Sequence, residues 1–413
     1  MTKTVVLLGA GASVDAGMPT SRELTKHVWD RLASSSDHKH LKAILGYVIG
    51  ALTAKQAKQG FSPYDEIDIE QALEAVKLLL NLDQNTLSAF VYSWDPAISN
   101  ISYQYDPAEF QRGMHLAFKG FRELLQQQGS GWFHFNNGLE QASKSIRRPS
   151  ITESSDQKKV LIWRTLTKQV EEKLEVEPEQ TRYLDPLITK CLDQKWIVAS
   201  LNYDLSFEEA CKRNNIEYSY GLEQWNKKKI IKWQKNFSGQ RILKLHGSIN
   251  WRNKIIESHE DISIFSKRDD EYDKNPPFLI IGGGNKLTAY GPFLPMLNEF
   301  DRALNQANRL IIIGYSFRDE HVNALLYRWS FGSKNRKAII VDPAFPEGTF
   351  LSGWQFQSQQ ANSDNMSQDI AKRALGVLSG LQRDLVYRIG KRPQNLRIEI
   401  HEKKANEGIA ELF

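Results

Sequence analysis

The sequence predicts an α/β protein built on a Rossmann-like, doubly wound and mostly parallel sheet, with a large helical insertion and a C-terminal helix–strand extension. Short apolar runs carry this prediction, because each is continuous rather than alternating, which is typical of strands covered on both faces. Helical segments separate most of these runs, as in doubly wound sheets. The runs are Val5–Leu8, Trp196–Ser200, Ile242–Leu245, Phe278–Ile281, Leu310–Ile313 and Ala338–Val341.

The position of these strands along the chain predicts the domain organisation. The first strand must share a sheet with the later strands, although a long helical segment separates them. Residues 1–32 and 193–345 therefore form the predicted core domain, and residues 33–192 form a helical insertion domain. Residues 346–413 form a C-terminal helix and strand, which we interpret as an assembly element.

Helical periodicity is clearest within the insertion and near the C-terminus. Asp68 marks the start of one helix, and apolar residues then recur at helical spacing. A second amphipathic helix is predicted from Ile370 to Ile389. In the last predicted strand, residues 396–401 alternate between apolar and polar, which favours an edge strand or a partner interface.

The composition excludes several classes of protein. Of the 413 residues, 41% are hydrophobic and 10% aromatic, which is typical of a packed globular chain. No run approaches the ~18 apolar residues of a membrane span, and the N-terminus lacks the cleavage site of a signal peptide. Two cysteines, Cys191 and Cys211, are too few for a disulfide framework or a four-cysteine zinc site, and they fit a cytoplasmic location. The formal net charge of +5 permits a nucleic acid or an acidic partner without requiring one.

A loop of small residues joins the first strand to the first helix. It reads Gly9-Ala10-Gly11-Ala12-Ser13-Val14-Asp15-Ala16-Gly17. Small residues let the backbone approach a pyrophosphate, and the following helix N-terminus supplies amide donors and positive potential. The spacing departs from the usual G-x-G-x-x-G pattern, so a tight turn without a ligand stays open as the alternative.

Polar residues also follow four later strands, and open α/β sheets bind ligands at the carboxyl ends of their strands. These residues are Asn202 and Asp204, His246, Gly314 and Ser316, and Asp342. His246 is suited to act as a base near neutral pH, and Asp342 to accept a bond from a ribose hydroxyl. Each strand end taken singly has a simpler interpretation, such as Asp204 capping the next helix. Four of them in one crevice favour a binding site.

In combination and in this order, the motifs resemble those of the sirtuins. The matching segments are Gly9–Ser13 with Gly17-Met18-Pro19 and Arg22 (the opening loop), Ser200–Asp204 (the Asn-x-Asp motif), His246-Gly247 (the catalytic His-Gly) and Gly314-Tyr315-Ser316 (the phosphate-contacting Gly-x-Ser). The resemblance covers roughly residues 4–32 and 195–345. It implies a sirtuin-like core that binds NAD.

Three departures from the protein deacylases of this family refine the implied activity. The deacylases carry a four-cysteine zinc module after the His-Gly motif, whereas both cysteines of this chain precede His246. Leu201 stands where the family usually has Gln before the Asn, and the helical insertion is much larger. The stretches Lys244–Trp251 and Gly314–His321 instead resemble bacterial antiviral sirtuin-like proteins, which are implied to be NAD hydrolases.

The resemblance therefore implies an NAD hydrolase that forms nicotinamide and ADP-ribose and acts as an antiphage, abortive-infection effector. NAD is the implied substrate, and no zinc or other metal is expected. Asn202 and His246 are the implied catalytic residues. The implied binding residues are Gly9, Ala10, Gly11, Ala12, Ser13, Pro19, Arg22, Asp204, Gly314, Ser316 and Asp342. Two alternatives stay open: a protein deacylase or ADP-ribosyltransferase, and a non-catalytic NAD or ADP-ribose sensor.

Partners are implied as well. A chain of this length, without a fused sensor domain, is similar to the sirtuin-like subunit that pairs with a HerA-class hexameric ATPase, and we expect a homo-oligomer. No membrane contact is expected. The segment Trp225–Lys235 interleaves lysines with aromatic residues, which leaves an indirect role for nucleic acid open. An exposed basic hairpin is the commoner explanation of such a segment.

Overall fold

The computed structural model describes residues 3–34, 39–58, 60, 62, 66–80, 153–256, 259–264, 277–280, 291–331, 336–343 and 396–413, with short pieces and single residues between 104 and 147. The chain divides into two compact units. The first comprises Met1–Arg31, Tyr64–Gln71 and Thr167–Phe413, and the second Leu32–Pro63 and Ala72–Leu166. Residues 167–192, which the sequence analysis assigns to the insertion, cluster with the first unit. The predicted domain boundaries stay a prediction.

Twelve strands are present among the described residues, and most belong to one sheet of the first unit. They are β1 (Thr4–Leu8), β2 (Gln104–Tyr105), β3 (Ile146–Arg147), β4 (Ile197–Ser200), β5 (Tyr218–Ser219), β6 (Gln240–Lys244), β7 (Gly247–Ile256), β8 (His259–Ile264), β9 (Pro277–Leu279), β10 (Arg309–Ile313), β11 (Arg336–Val341) and β12 (Leu396–His401).

The main sheet has seven strands in the order β12-β11-β10-β1-β4-β6-β5, and all its pairings are parallel. In the central strand β1, Val6 lies opposite Ile311 on one side and Val198 on the other. All three side chains are fully buried, as expected of strands covered on both faces. The predicted α/β fold class with a doubly wound parallel sheet is confirmed. Because the strands are parallel, the loops that follow them lie along one edge of the sheet.

Ten α-helices accompany these strands in the described residues. They are α1 (Ser21–Ser34), α2 (Lys39–Lys58), α3 (Ile69–Leu80), α4 (Glu153–Lys173), α5 (Asp185–Asp193), α6 (Ser206–Arg213), α7 (Trp225–Lys228), α8 (Phe293–Gln306), α9 (Glu320–Phe331) and α10 (Ala405–Leu412). In α8, buried residues recur at helical spacing, from Phe293 through Met296 and Phe300 to Leu304, and belong to the core around the sheet. No described helix is long and apolar enough to cross a membrane.

One predicted strand lies in a different sheet. The run Phe278–Ile281 was expected in the parallel sheet, but β9 pairs antiparallel with β7 in a separate sheet of order β8-β7-β9. Gly247 begins β7 after a two-residue turn that follows β6, and it has a φ of 87°, which glycine adopts readily. A Cβ at this position would lie 2.2 Å from the carbonyl oxygen of Phe278. The glycine therefore lets the chain leave the main sheet and accept β9 alongside.

The C-terminal residues complete the first unit. Among the residues that the structure describes, strand β12 pairs with β11 alone and lies at the edge of the sheet, as its alternating pattern predicts. Helix α10 follows it and packs on the core, since Ile409 is fully buried and a Cβ on Gly408 would lie 2.3 Å from Cγ1 of Val341. The amphipathic helix predicted from Ile370 to Ile389 lies outside the described residues.

The second unit is mainly helical where it is described. It contains α2, most of α3, the first part of α4, and the antiparallel pair of β2 and β3. The helix predicted to begin at Asp68 is confirmed, because Oδ1 of Asp68 accepts a hydrogen bond from the backbone N of Glu70 at 2.8 Å. The side chains that recur along α3 are all buried: Ile69, Ala72, Leu73, Val76 and Leu80.

Candidate active site

Two loops with glycines meet at the carboxyl edge of the main sheet. The loop after β1 forms a short 3-10 helix (Ala10–Ala16). The loop after β10 begins at Gly314, which has a left-handed φ of 61°. A Cβ on Gly314 would lie 2.3 Å from the backbone N of Ala12, and one on Gly9 would lie 2.5 Å from the carbonyl oxygen of Gly314. Glycine at these two positions is therefore required for the loops to pack, whatever ligand they bind.

A cavity of about 470 Å³ lies in the first unit beside these loops. This volume is in the range of small-molecule sites, about 300–1,000 Å³. The predicted site residues that line it are Gly9, Ala10, Gly11, Pro19, Arg22, Asn202, Asp204, His246, Gly314, Ser316 and Asp342. Ala12 and Ser13 are buried and do not line it. The structure thus brings together residues that lie more than 300 positions apart in the sequence.

Several loop amides are already bonded inside the protein. Three of them donate to backbone carbonyl oxygens, each at 2.9 Å: the backbone N of Gly9 to Ile313, that of Gly11 to Gly314, and that of Ala12 to Gly9. These amides are not available to a phosphate in this arrangement. Arg22 lines the cavity and brings a positively charged side chain to its wall.

Asn202 has an amide oxygen that accepts no hydrogen bond. Its Nδ2 donates to the carbonyl oxygen of Gly9 at 2.8 Å and to Oγ of Ser13 at 3.0 Å. Because a carbonyl oxygen only accepts, Gly9 determines which end of the amide is the nitrogen. Oδ1 of Asn202 is buried and without a partner among the described residues. It is therefore an acceptor oriented in advance, on a residue that lines the cavity.

Ser13 links Asn202 to Asp204. While Oγ of Ser13 accepts from Asn202, it donates to Oδ1 of Asp204 at 3.0 Å. The same Oδ1 accepts from the backbone N of Ser206 at 2.9 Å, at the start of α6. Asp204 thus bonds the first amide of α6 from one position before the N-cap residue, Leu205, and it also lines the cavity.

A buried ion pair supports the backbone of this turn. Nζ of Lys244 donates to the carbonyl oxygen of Asp204 at 2.6 Å and lies 3.2 Å from Oε1 of Glu208. The side chains of Lys244 and Glu208 are each only 1% exposed. The hydroxyl of Tyr220 donates to the same carboxylate at 3.0 Å. The end of β6 thus holds the turn that carries Asn202 and Asp204.

His246 is held by a carboxylate that the sequence analysis did not assign to the site. Nε2 of His246 lies 2.7 Å from Oδ2 of Asp319, and both side chains are buried. The sequence signal for Asp319 was weak, because an aspartate just before a helix is usually explained as a cap. It does cap α9, since its Oδ1 accepts from the backbone N of His321 and of Val322.

Tyr203 and two carboxylates of the cavity wall were also missed. The hydroxyl of Tyr203 lies 2.7 Å from Oε1 of Glu70 and 2.5 Å from the carbonyl oxygen of Ile280. Burial, followed by the charge of Glu70, raises the pKa of Tyr203 well above its ordinary value, so this tyrosine stays neutral. Asp68 accepts a hydrogen bond from Ser21 at 2.8 Å and lies 3.6 Å from Arg318. Tyr203, Asp68 and Glu70 all line the cavity.

The aromatic rings of the basic segment Trp225–Lys235 face the core. Trp225 is buried and Trp233 is partly buried against the same core, whereas Lys228, Lys229 and Lys232 are exposed. The indole N–H of Trp233 donates to the carbonyl oxygen of Ser219 at 3.0 Å. Rings in this position do not stack on bases, so the structure favours the explanation of an exposed basic segment.

Metal ligands are not clustered in the described residues, where no group of three or more histidine, cysteine or acidic side chains is placed to hold an ion. Cys191 and Cys211 are free and buried, and burial raises the pKa of both thiols. The expected absence of zinc stays a prediction from the cysteine count.

Comparison with known proteins supports the resemblance to the sirtuins for part of the chain. Residues 197–361 match the family model described as a SIR2-like domain, which supports a sirtuin-like family for this part of the chain. No curated protein matches the sequence. A solved structure described as a Sir2 homologue in complex with NAD aligns over 100% of this chain and 88% of that chain, with 11% identity and a TM-score of 0.36. A TM-score this low does not establish a shared fold, so the fold class follows from the strand order and registers.

Proposed function

We propose that this chain is an NAD hydrolase, which cleaves the N-glycosidic bond of NAD to give nicotinamide and ADP-ribose. The SIR2-like match supports NAD-dependent activity in general. The departures of the sequence from the deacylases support the hydrolytic subclass. The cavity supports NAD binding and hydrolysis together, because its wall contains the loop after β1 as well as Asn202, Asp204 and His246.

The observation that carries the proposal is the unpartnered Oδ1 of Asn202. A buried acceptor without a hydrogen bond costs about 1–3 kcal/mol. A ribose hydroxyl or a water molecule that donates to this oxygen would remove that cost and be oriented by it. His246 lines the same cavity and would accept the proton that the reaction releases. A protein that only bound NAD would need neither group.

The other residues have roles in binding. Arg22 and Ser316 would bind the pyrophosphate and the adjoining riboses. The opening loop and Gly314 would leave room for these groups because their residues are small, although the amides of Gly9, Gly11, Ala12 and Gly314 are bonded within the protein. Asp342, at the end of β11, would accept hydrogen bonds from a ribose diol, as acidic residues do in dinucleotide folds. Asp204 would bind the carboxamide of the nicotinamide.

The reaction balances without a metal. The bond between C1′ and the nicotinamide nitrogen breaks, and its electron pair leaves with nicotinamide as a neutral molecule. A bond forms between C1′ and the oxygen of water, and one proton is released. The residues of the chain would orient the ribose and the water and accept this proton.

The purified chain incubated with NAD alone is expected to release nicotinamide and ADP-ribose in equal amounts, which chromatography of the products measures. Release only when an acetyl-lysine peptide is supplied would instead support the deacylase alternative. Transfer of ADP-ribose to protein would support a transferase. NAD binding without any product would leave the sensor interpretation.

We also propose that the hydrolase acts as an antiphage effector in a homo-oligomer that docks on a HerA-class ring ATPase. A single sirtuin-like core does not need the helical insertion or the C-terminal extension, and loss of NAD is lethal to a cell, so assembly is a means of control. Each specific interface would bury more than about 1,000 Å². Size-exclusion chromatography with light scattering is expected to show an oligomer. A strict monomer with full activity would contradict the assembly and leave the hydrolase proposal intact.

A further inference from the structure

We infer that Asp319 sets the tautomer of His246 and makes Nδ1, rather than Nε2, the atom that accepts a proton in the cavity. The catalytic role of this proton transfer rests on the proposed hydrolase function. The tautomer itself is a property of the free protein and is measurable without a substrate.

The contact between the two side chains determines where the hydrogen lies. Nε2 of His246 is 2.7 Å from Oδ2 of Asp319, and an ionised carboxylate only accepts hydrogen bonds. Nε2 of the neutral ring must therefore carry the hydrogen, which leaves the lone pair on Nδ1. Nδ1 makes no hydrogen bond to any part of the chain that the structure describes. Since His246 lines the cavity, Nδ1 is the ring atom left to meet a hydroxyl or a water.

The carboxylate of Asp319 is itself held in place on both oxygens. Its Oδ1 accepts from the backbone N of His321 at 3.0 Å and of Val322 at 3.1 Å, in the first turn of α9. The N-terminus of a helix also favours negative charge. The hydroxyl of Tyr315 lies 3.2 Å from the backbone N of Asp319 and donates to Oδ1 of Asn323 at 2.9 Å. Asp319 is therefore rigid and suited to orient the ring.

The contact between His246 and Asp319 assists proton transfer by stabilising the charged ring and by fixing the position of the ring. The proton moves from a hydroxyl or a water oxygen to Nδ1, and no other bond to His246 changes. The imidazolium that forms then lies against the carboxylate, which stabilises its charge in a buried setting. Asp319 does not take the proton, so it is a positioning residue. It also prevents rotation of the ring out of the cavity wall.

The substitution Asp319→Asn tests the inference with little change in shape. The amides of His321 and Val322 require an acceptor, so the carbonyl oxygen of the new asparagine would face α9. Its NH₂ would then face Nε2 of His246, which would become the acceptor, and the hydrogen would move to Nδ1. We expect the rate of nicotinamide release to fall by at least ~10²-fold while the fold is kept.

The direct readout is the ¹⁵N spectrum of the imidazole rings in protein labelled at its histidines, recorded at alkaline pH. His246→Gln identifies the His246 signals among the nine histidines. The unsubstituted protein is expected to carry hydrogen on Nε2, and Asp319→Asn on Nδ1. The matched control is Asp301→Asn, which removes an ion pair with Arg328 outside the cavity and is expected to change neither the tautomer nor turnover.

Hydrogen on Nδ1 in the unsubstituted protein would overturn the inference, and this measurement needs no variant of Asp319. Asp319→Asn with the original tautomer, or with normal turnover, would overturn it as well. If the unsubstituted chain releases no nicotinamide from NAD, the hydrolase proposal fails, whereas the ring spectra still decide on the tautomer.

Discussion

Replacing His246 with alanine is expected to lower the rate of nicotinamide release by at least ~10²-fold, which is the scale of a lost acid–base group. NAD binding is expected to survive largely unchanged, because the loops and Arg22 that would hold the pyrophosphate are untouched. Steady-state rates at saturating NAD, together with calorimetric titration of NAD, measure the two effects separately.

Asn202→Ala is expected to lower the rate by a similar factor, because it removes the acceptor that would orient the ribose or the water. This variant also leaves Gly9 and Ser13 without the hydrogen bonds that Nδ2 donates, so its thermal unfolding must be recorded beside its rate. His27→Ala, on α1 and outside the cavity, is the control for loss of a histidine. Near-normal rates in both site variants would remove these residues from the mechanism.

The sequence predicted the main sheet well because the relevant signal is local. β1, β4, β10 and β11 each contain a continuous apolar run, and β6 contains the shorter pair Ile242-Leu243. Burial on both faces of a parallel sheet produces such runs. The convergence of Asn202, His246 and Gly314 on one cavity wall then follows from geometry, since parallel strands end at the same edge. The sequence alone therefore predicts that these residues lie together.

Features that depend on tertiary context were not predictable in this way. The run at β9 has the composition of a sheet strand, but nothing in it specifies that it pairs with β7. Strand β5 has two residues, too few for any periodicity. Asp319 is indistinguishable in sequence from an ordinary cap, and its contact with His246 spans 73 positions of the chain. The role of Ser13 as a link between Asn202 and Asp204 likewise appears only once β1 and β4 are paired.

The largest expected effect on stability comes from the ion pair beneath the site. Lys244→Met keeps most of the side-chain volume but leaves Glu208 as a buried carboxylate whose cation is gone. Breaking a buried pair from one side costs about 3–5 kcal/mol in the free energy of unfolding. The carbonyl oxygen of Asp204 also loses its donor, so the turn that carries Asn202 is less well fixed. Urea denaturation followed by tryptophan fluorescence measures the loss.

Removing the charge of Glu208 as well distinguishes the cost of the unpaired carboxylate from the cost of lost packing around Lys244. The double variant Lys244→Met/Glu208→Gln has no unpaired carboxylate, and the amide oxygen of the new glutamine can still accept the hydrogen bond from Tyr220. It is therefore expected to be more stable than Lys244→Met alone. The coupling between the two sites should then be about 0.5–3 kcal/mol. Lys337→Met is the matched control, because its ion pair with Glu399 is 42% and 32% exposed and should contribute no more than about 1 kcal/mol. If Lys244→Met were no less stable than Lys337→Met, the pair would not be holding the turn, and the preorganisation of Asn202 would have to come from Ser13 and Gly9 alone.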